Sequence, residues 1–123
     1  MLEKLRYLTA GESHGKGLLG IIDGIPANLK ISEDYIKFQL SRRQKGHGRS
    51  NRMKIESDFA ELYCGVRQGK TNGGPIGLII SNKDHKNWLE CMSVEENNYA
   101  KKVTLPRPGH ADLAGVMKFG FDD

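Results

Sequence analysis

Four glycines, a serine, an imidazole and a carboxylate share the ten residues from Gly11 to Gly20, between two short apolar runs. Glycine tolerates positive φ and lets other groups come close to the backbone, so this density predicts a turn with a ligand near its main chain. The flanking runs Leu5–Ala10 and Gly17–Asp23 read as two strands meeting at that turn, and Gly24-Ile25-Pro26-Ala27 closes the second.

Two familiar motifs overlap the stretch and both fail on the same ground. Gly11-x-Ser13-x-Gly15 fits the nucleophile elbow of serine hydrolases, and Gly15-x-Gly17-x-x-Gly20 fits a dinucleotide fingerprint. Each needs a helix directly after the turn. The turn leads instead into Leu18-Leu19-Gly20-Ile21-Ile22-Asp23-Gly24-Ile25-Pro26, whose β-branched residues, glycines and proline suit a strand. A plain glycine hairpin accounts for the glycines and leaves Ser13-His14 unexplained.

Further along, Ser32 reads as a helix N-cap, with Glu33 and Asp34 in the first turn where the helix dipole favours negative charge. Tyr35, Ile36, Phe38 and Leu40 give an apolar stripe read as core, and the helix ends at Ser41-Arg42-Arg43. Between Arg42 and Lys54 come six Lys/Arg and no acid, although the chain's net charge is only +4. Gly46 and Gly48 break regular structure there, and arginine forks bind phosphates and carboxylates bidentately. A small, highly charged anion is the expected ligand. Nucleic acid fits less well, because no stacking platform or recognition motif accompanies the charges.

Phe59–Gly65 alternates like a half-buried strand, and Ile76–Ser81 suits a buried one. Asn72-Gly73 between them is the hairpin signal. Gly69-Lys70-Thr71 echoes the end of a P-loop, but Cys64 stands where the motif needs glycine and no helix comes after it. The polar stretch from Ser81 to Thr104 reads as a surface excursion with a short helix, and its lone Trp88 has no assigned role. Pro106-Arg107-Pro108-Gly109-His110 fixes an irregular backbone presenting Arg107 and His110, ahead of a helix over Ala111–Phe119. Cys64 and Cys91 match neither a disulfide framework nor a zinc site and read as buried or incidental thiols. No metal site is expected. No apolar run approaches the roughly 20 residues that span a bilayer, and the first residues lack a signal-peptide core. The cytoplasm is the expected compartment, with no membrane partner.

Three separated stretches resemble one family. Arg6-Tyr7-Leu8-Thr9-Ala10-Gly11-Glu12-Ser13-His14-Gly15 with Ile22-Asp23-Gly24-Ile25-Pro26 is similar to the amino-terminal signature of chorismate synthase. The run Arg42-Arg43-Gln44-x-Gly46-x-Gly48-Arg49-x-x-Arg52-x-x-x-Glu56-x-Asp58 is the second match, and Pro106-Arg107-Pro108-Gly109-His110-Ala111-Asp112-Leu113 the third. Gly65-Val66-x-x-Gly69-Lys70-Thr71 and Asn82-Lys83-Asp84 echo the same family.

The resemblance implies an α+β fold, a sandwich of antiparallel sheets and long helices, of which residues 1–123 would be the amino-terminal portion of one domain. Such a piece would leave a sheet region, a helix and several edges without partners. It would stop short of a segment that helps hold the flavin, and so be inactive alone. The implied activity is a phosphate lyase of the shikimate pathway, in aromatic amino acid biosynthesis. 5-Enolpyruvylshikimate 3-phosphate loses phosphate in a 1,4-anti elimination to give chorismate, with reduced FMN required and no net redox change. A homotetramer is implied for the full-length protein.

Carried over by position, His14 would protonate the departing phosphate and His110 would lie near the reduced flavin and supply its proton. Arg43, Arg49, Arg52 and Arg107, with Ser13, would bind the substrate's anionic groups. NADP is a rival ligand for Arg43 and Arg49, with NADPH serving flavin reduction. Arg42, Lys45 and His47 read as solvated. The competing reading from another class is a non-enzymatic anion- or nucleic-acid-binding module on the 42–54 loop. It predicts binding that weakens steeply with salt, and it leaves His14 and the Pro106–His110 turn without a purpose.

Overall fold

In the computed structural model, residues 5–45, 59–99 and 104–121 are described. The elements in chain order are β1 (Arg6–Gly11), β2 (Gly17–Asp23), α1 (Glu33–Gln44), β3 (Ala60–Cys64), β4 (Val66–Arg67), β5 (Lys70–Thr71), β6 (Ile76–Ser81), a 3-10 helix (Lys83–Asn87) and α2 (Asp112–Phe119). They fall into two compact units, Met1–Trp88 and Leu89–Asp123.

The first unit is built on a four-stranded antiparallel sheet ordered β1-β2-β6-β3. The two strands flanking the glycine turn pair as expected, from Arg6 opposite Asp23 to Gly11 opposite Leu18. Because β2 is a strand, neither the hydrolase elbow nor the dinucleotide turn is present. β2 then pairs with β6, from Gly17 opposite Ser81 to Ile22 opposite Ile76. The inner strands carry apolar side chains on both faces, the pattern of strands meant to be covered on both sides. One face, with Leu18, Ile22, Leu62 and Leu78, looks across a groove of about 640 Å³ to Ile36 and Leu40 of α1. On the opposite face Leu8 and Tyr63 are 69% and 70% exposed. Apart from Gly15, full burial is confined to Ile76, Ala60 and Thr71 among the described residues.

α1 begins and ends as its charges predict. Ser32 Oγ accepts from the Tyr35 N–H at 3.2 Å, Glu33 and Asp34 occupy the first turn, and Arg42 and Arg43 the last. The expected four-residue apolar stripe is narrower than its sequence. Ile36 and Leu40, one turn apart, face the sheet, whereas Tyr35 and Phe38 are mostly exposed. The reason is geometric. Residues i and i+4 share a face, and i+2 lies on the opposite side. Glu33 has a second task, since its Oε1 accepts the N–H of Leu62 on the edge strand β3 at 3.0 Å.

The hairpin between β3 and β6 also differs from expectation. Asn72-Gly73 does not make the two-residue turn; Gln68-Gly69 does, with φ of 50° and 74°, joining β4 to β5. Asn72 instead folds its side chain back, Oδ1 accepting the Gly74 N–H at 2.9 Å. Thr71 explains the shift. It is 3% exposed, donates through Oγ1 to the Pro26 carbonyl and accepts there from the Leu29 N–H. With the Thr71 N–H bonded to the Leu29 carbonyl, this stitches the segment after β2 onto β5. Gly65, at φ 87°, is required just before, because a Cβ there would overlap the Pro75 carbonyl.

The second unit contains α2, which ends at Gly120 in the left-handed conformation that lets its N–H bond back to the Val116 carbonyl. Cys64 and Cys91 are both free and exposed, so neither is the buried thiol that the sequence allows. Among the described residues no helix is long and apolar enough to cross a membrane, and no cluster of His, Cys, Asp and Glu is arranged to hold a metal ion.

Candidate functional site

The turn between β1 and β2 holds the best-defined chemistry of the first unit. His14 adopts φ 66°, a left-handed conformation uncommon outside glycine, and the turn is closed by the Gly15 N–H bonding to the Glu12 carbonyl at 3.3 Å. A Cβ at the buried Gly15 would force the Glu12 side chain to shift. Ser13 Oγ lies 2.8 Å from His14 Nδ1. If the serine O–H donates, the neutral imidazole carries its proton on Nε2. A proton is given up by the imidazolium, in which Nδ1–H donates to Ser13 Oγ and Nε2–H is the proton left for a ligand.

A segment with no assigned role in the sequence grips this turn. Asn82, directly after β6, donates through Nδ2 to the Gly15 carbonyl at 2.9 Å, and its N–H donates to the Lys16 carbonyl. Asn82 Oδ1 meanwhile caps the 3-10 helix through the Asp84 N–H. His85 Nδ1 lies 3.2 Å from the His14 carbonyl, placing it as a donor. The Trp88 ring packs against the His14 ring, with centroids 4.2 Å apart and planes inclined by 41°. Sequence reasoning misses Asn82, His85 and Trp88 as site residues because their partners lie some 70 positions earlier. The available signals are a cap-forming asparagine at the end of a strand and the family echo of Asn82-Lys83-Asp84.

Arg43 lies in the last turn of α1 and is exposed. Its neighbour Arg42 is not simply solvated: it donates to Gln39 Oε1 at 3.2 Å and its guanidinium stands 5.9 Å from the Phe38 ring centroid. Arg49, Arg52 and His47 fall outside the described residues.

The second unit carries the other two expected residues on one turn. The His110 N–H bonds to the Arg107 carbonyl at 3.2 Å, and Gly109 supplies φ 76°. Asp112, in the first turn of α2, accepts from Arg107 three times: at Oδ2 from the backbone N–H and from Nε, both 3.0 Å, and at Oδ1 from Nη2 at 3.4 Å. Those side-chain and backbone hydrogen bonds pull the Asp112 carboxyl down to about 2 and raise the Arg107 guanidinium. His110 Nδ1 stands 4.0 Å from Asp112 Oδ1. Arg107 is therefore oriented and partly neutralised before any ligand arrives. Ser13 with His14, and Arg107 with His110, are two preformed pairs, one on each unit.

The family model described as chorismate synthase matches residues 5–123. A chorismate synthase of Pelodictyon phaeoclathratiforme is 56% identical over 121 residues, covering 97% of this chain and 30% of that protein. One from Streptococcus sanguinis is 56% identical over 123 residues, covering 97% and 32%. A crystal structure of chorismate synthase is similar with a TM-score of 0.60 and 51% identity, over 76% of this chain and 26% of that one. The chain thus spans about a third of the length of the curated relatives it matches.

Proposed function

The chain belongs to the chorismate synthase family, and on that premise we propose that it is the amino-terminal portion of a lyase that eliminates phosphate from 5-enolpyruvylshikimate 3-phosphate to form chorismate. The observation that carries the reading is the Ser13–His14 pair. An imidazolium whose Nδ1–H donates to the Ser13 hydroxyl oxygen at 2.8 Å, on a turn of fixed backbone, has Nε2–H available to protonate a departing phosphate and is left as neutral imidazole.

The substrate carries a phosphate and two carboxylates. Arg43, Arg49, Arg52 and Arg107, with the Ser13 hydroxyl, neutralise and orient those groups in this reading. Arg107 suits the task because Asp112 holds its guanidinium in one orientation, so less freedom is lost on binding. Arginine binds the phosphates of NADP equally well, so Arg43 and Arg49 are the residues where the two ligands compete. The substrate is preferred because it presents three anionic groups to one basic loop.

His110 offers the flavin a matching donor. It is exposed, its main chain is bonded to Arg107, and the ring nitrogen turned from Asp112 is available to the polar edge of an isoalloxazine. That donor set fits reduced FMN. When bound, reduced FMN supplies an electron-rich ring against the substrate without net redox change. His110 would hold or deliver the proton at that ring. The two units, in this proposal, belong to one α+β sandwich domain of a cytoplasmic homotetramer. A lyase reading also gives His14 and the Pro106–His110 turn a purpose, which an anion-binding module on the 42–54 loop does not.

The test is His14→Ala in a full-length enzyme carrying residues 5–123 of this chain, assayed anaerobically with reduced FMN. General acid catalysis is worth about 10²–10⁴-fold, and a loss of that order is expected with the fold intact. Near-normal turnover would overturn the assignment of His14.

A further inference from the structure

We infer that Trp88 is a positioning residue for His14, forming with Asp84 and Asn82 a platform that sets the plane of the imidazole and the direction of Nε2. The inference rests on the reading that His14 moves a proton. Three constraints meet on the one residue. Ser13 Oγ fixes Nδ1 at 2.8 Å, the Trp88 ring covers the imidazole at a centroid distance of 4.2 Å, and the His14 carbonyl lies 3.2 Å from His85 Nδ1. A hydrogen bond at Nδ1 alone leaves the ring free to swing about that contact. A flat, wide neighbour removes the swing, because tilting the imidazole drives it into the indole.

The platform is itself held. Trp88 Nε1 donates to Asp84 Oδ2 at 3.1 Å, and Asp84 Oδ1 accepts from Asn87 Nδ2 at 2.7 Å. The Asp84 N–H is capped by Asn82 Oδ1 at 3.1 Å, and the Trp88 N–H bonds to the His85 carbonyl at 2.8 Å. Asn82 also bonds the glycine turn through Nδ2. The 3-10 helix therefore starts on β6, an inner strand, and ends with the indole against His14. A structural tryptophan needs an apolar surround. Trp88 instead sits half-exposed beside an imidazole, with its N–H anchored to a carboxylate.

The experiment uses Trp88→Leu and Trp88→Phe in the full-length enzyme, alone and with His14→Ala. Misplacing a reacting group by about 1 Å can cost on the order of 10²-fold. Trp88→Leu is expected to lower kcat by about 10- to 100-fold with KM for the substrate little changed, and Trp88→Phe to restore most of it. On the His14→Ala background Trp88→Leu should cost nothing further. Contact itself has a separate readout. The difference in emission between the parent and Trp88→Phe is the fluorescence of Trp88, and an imidazolium at van der Waals distance quenches it. Its pH titration should vanish in His14→Gln and persist in His85→Gln. An unchanged kcat in a folded Trp88→Leu, an equal further loss on the His14→Ala background, or an emission titration indifferent to His14 each overturns the inference. If Trp88→Leu does not fold, Trp88→Phe and the emission experiment decide. Failure of the proton-donor reading looks different: His14→Ala then turns over normally while the emission titration still depends on His14.

Discussion

The side-chain amide of Asn82 donates to the carbonyl of Gly15 at 2.9 Å, joining residues 67 positions apart. With the Asn82 N–H on the Lys16 carbonyl, one residue at the end of β6 ties down both the turn that carries His14 and the helix that carries Trp88. Backbone atoms make half of that link and survive any substitution but proline. The side-chain half does not.

Asn82→Ala should therefore loosen the turn without unfolding the sheet. Losing the amide strands the Gly15 carbonyl and uncaps the Asp84 N–H, both in partly buried surroundings, at about 1–3 kcal/mol for each group that stays unsatisfied. Hydrogen exchange should accelerate at the Gly15 and Asp84 amides and stay slow in β2 and β6. Uniform acceleration would show that Asn82 supports the whole unit.

Thr71→Val keeps the shape and removes the hydroxyl. The Pro26 carbonyl then loses its donor and the Leu29 N–H its acceptor. A cost of about 2 kcal/mol is expected from the two partners together. It should appear as faster amide exchange from Asn28 to Ile31 and at Thr71, ahead of any change in the sheet. Unchanged protection there would mean that the backbone bonds of this seam are sufficient.

Local chemistry is legible in the sequence where it is self-contained. The cap at Ser32, the two strands around the glycine turn and the span of β6 all arise from residues within one element's length, and each has its physical cause in its own neighbourhood. The hairpin sits elsewhere than its sequence signal because Thr71 reaches back 45 positions to Pro26, and that burial outweighs the turn preference of Asn72-Gly73. Ser13 and His14 stand out because they are adjacent in a turn that needs explaining. Trp88 does not, since an isolated tryptophan in a polar stretch acquires meaning only when the fold sets it against a ring 74 positions earlier. Arg107 is visible as a cation, and its pairing with Asp112 is not. A charge pattern records that groups exist, and the turn geometry decides which of them meet.

The Arg107–Asp112 fork should weaken only in strong acid. Its side-chain and backbone hydrogen bonds depress the Asp112 carboxyl from 3.8 to about 2. A depressed carboxyl contributes stability that is present above its unfolded value and lost as pH falls through the folded one. The turn should thus be unaffected by pH above about 4 and loosen from there down to about 2. Carbon-13 NMR of the Asp112 carboxyl should titrate near the lower limit. In Arg107→Ala the midpoint should move up only part of the way, because the backbone N–H of residue 107 still donates. A midpoint near 3.8 in the parent protein would mean that the fork does not persist in solution.

The two histidines should fail differently in the full-length enzyme. Each lies in a turn shaped by glycine or proline and neither is buried, so loss of either ring should leave the fold intact. If His110 serves the flavin, His110→Ala should change how the absorbance of bound reduced FMN varies with pH, along with a loss of turnover of about 10²–10⁴-fold. His14→Ala should lose turnover on a similar scale, leave that spectrum nearly unchanged and slow phosphate release in a single turnover. The spectrum separates the roles because only a group at the isoalloxazine senses the protonation state of that ring. A spectrum that shifts with His14→Ala and ignores His110→Ala would exchange the two assignments.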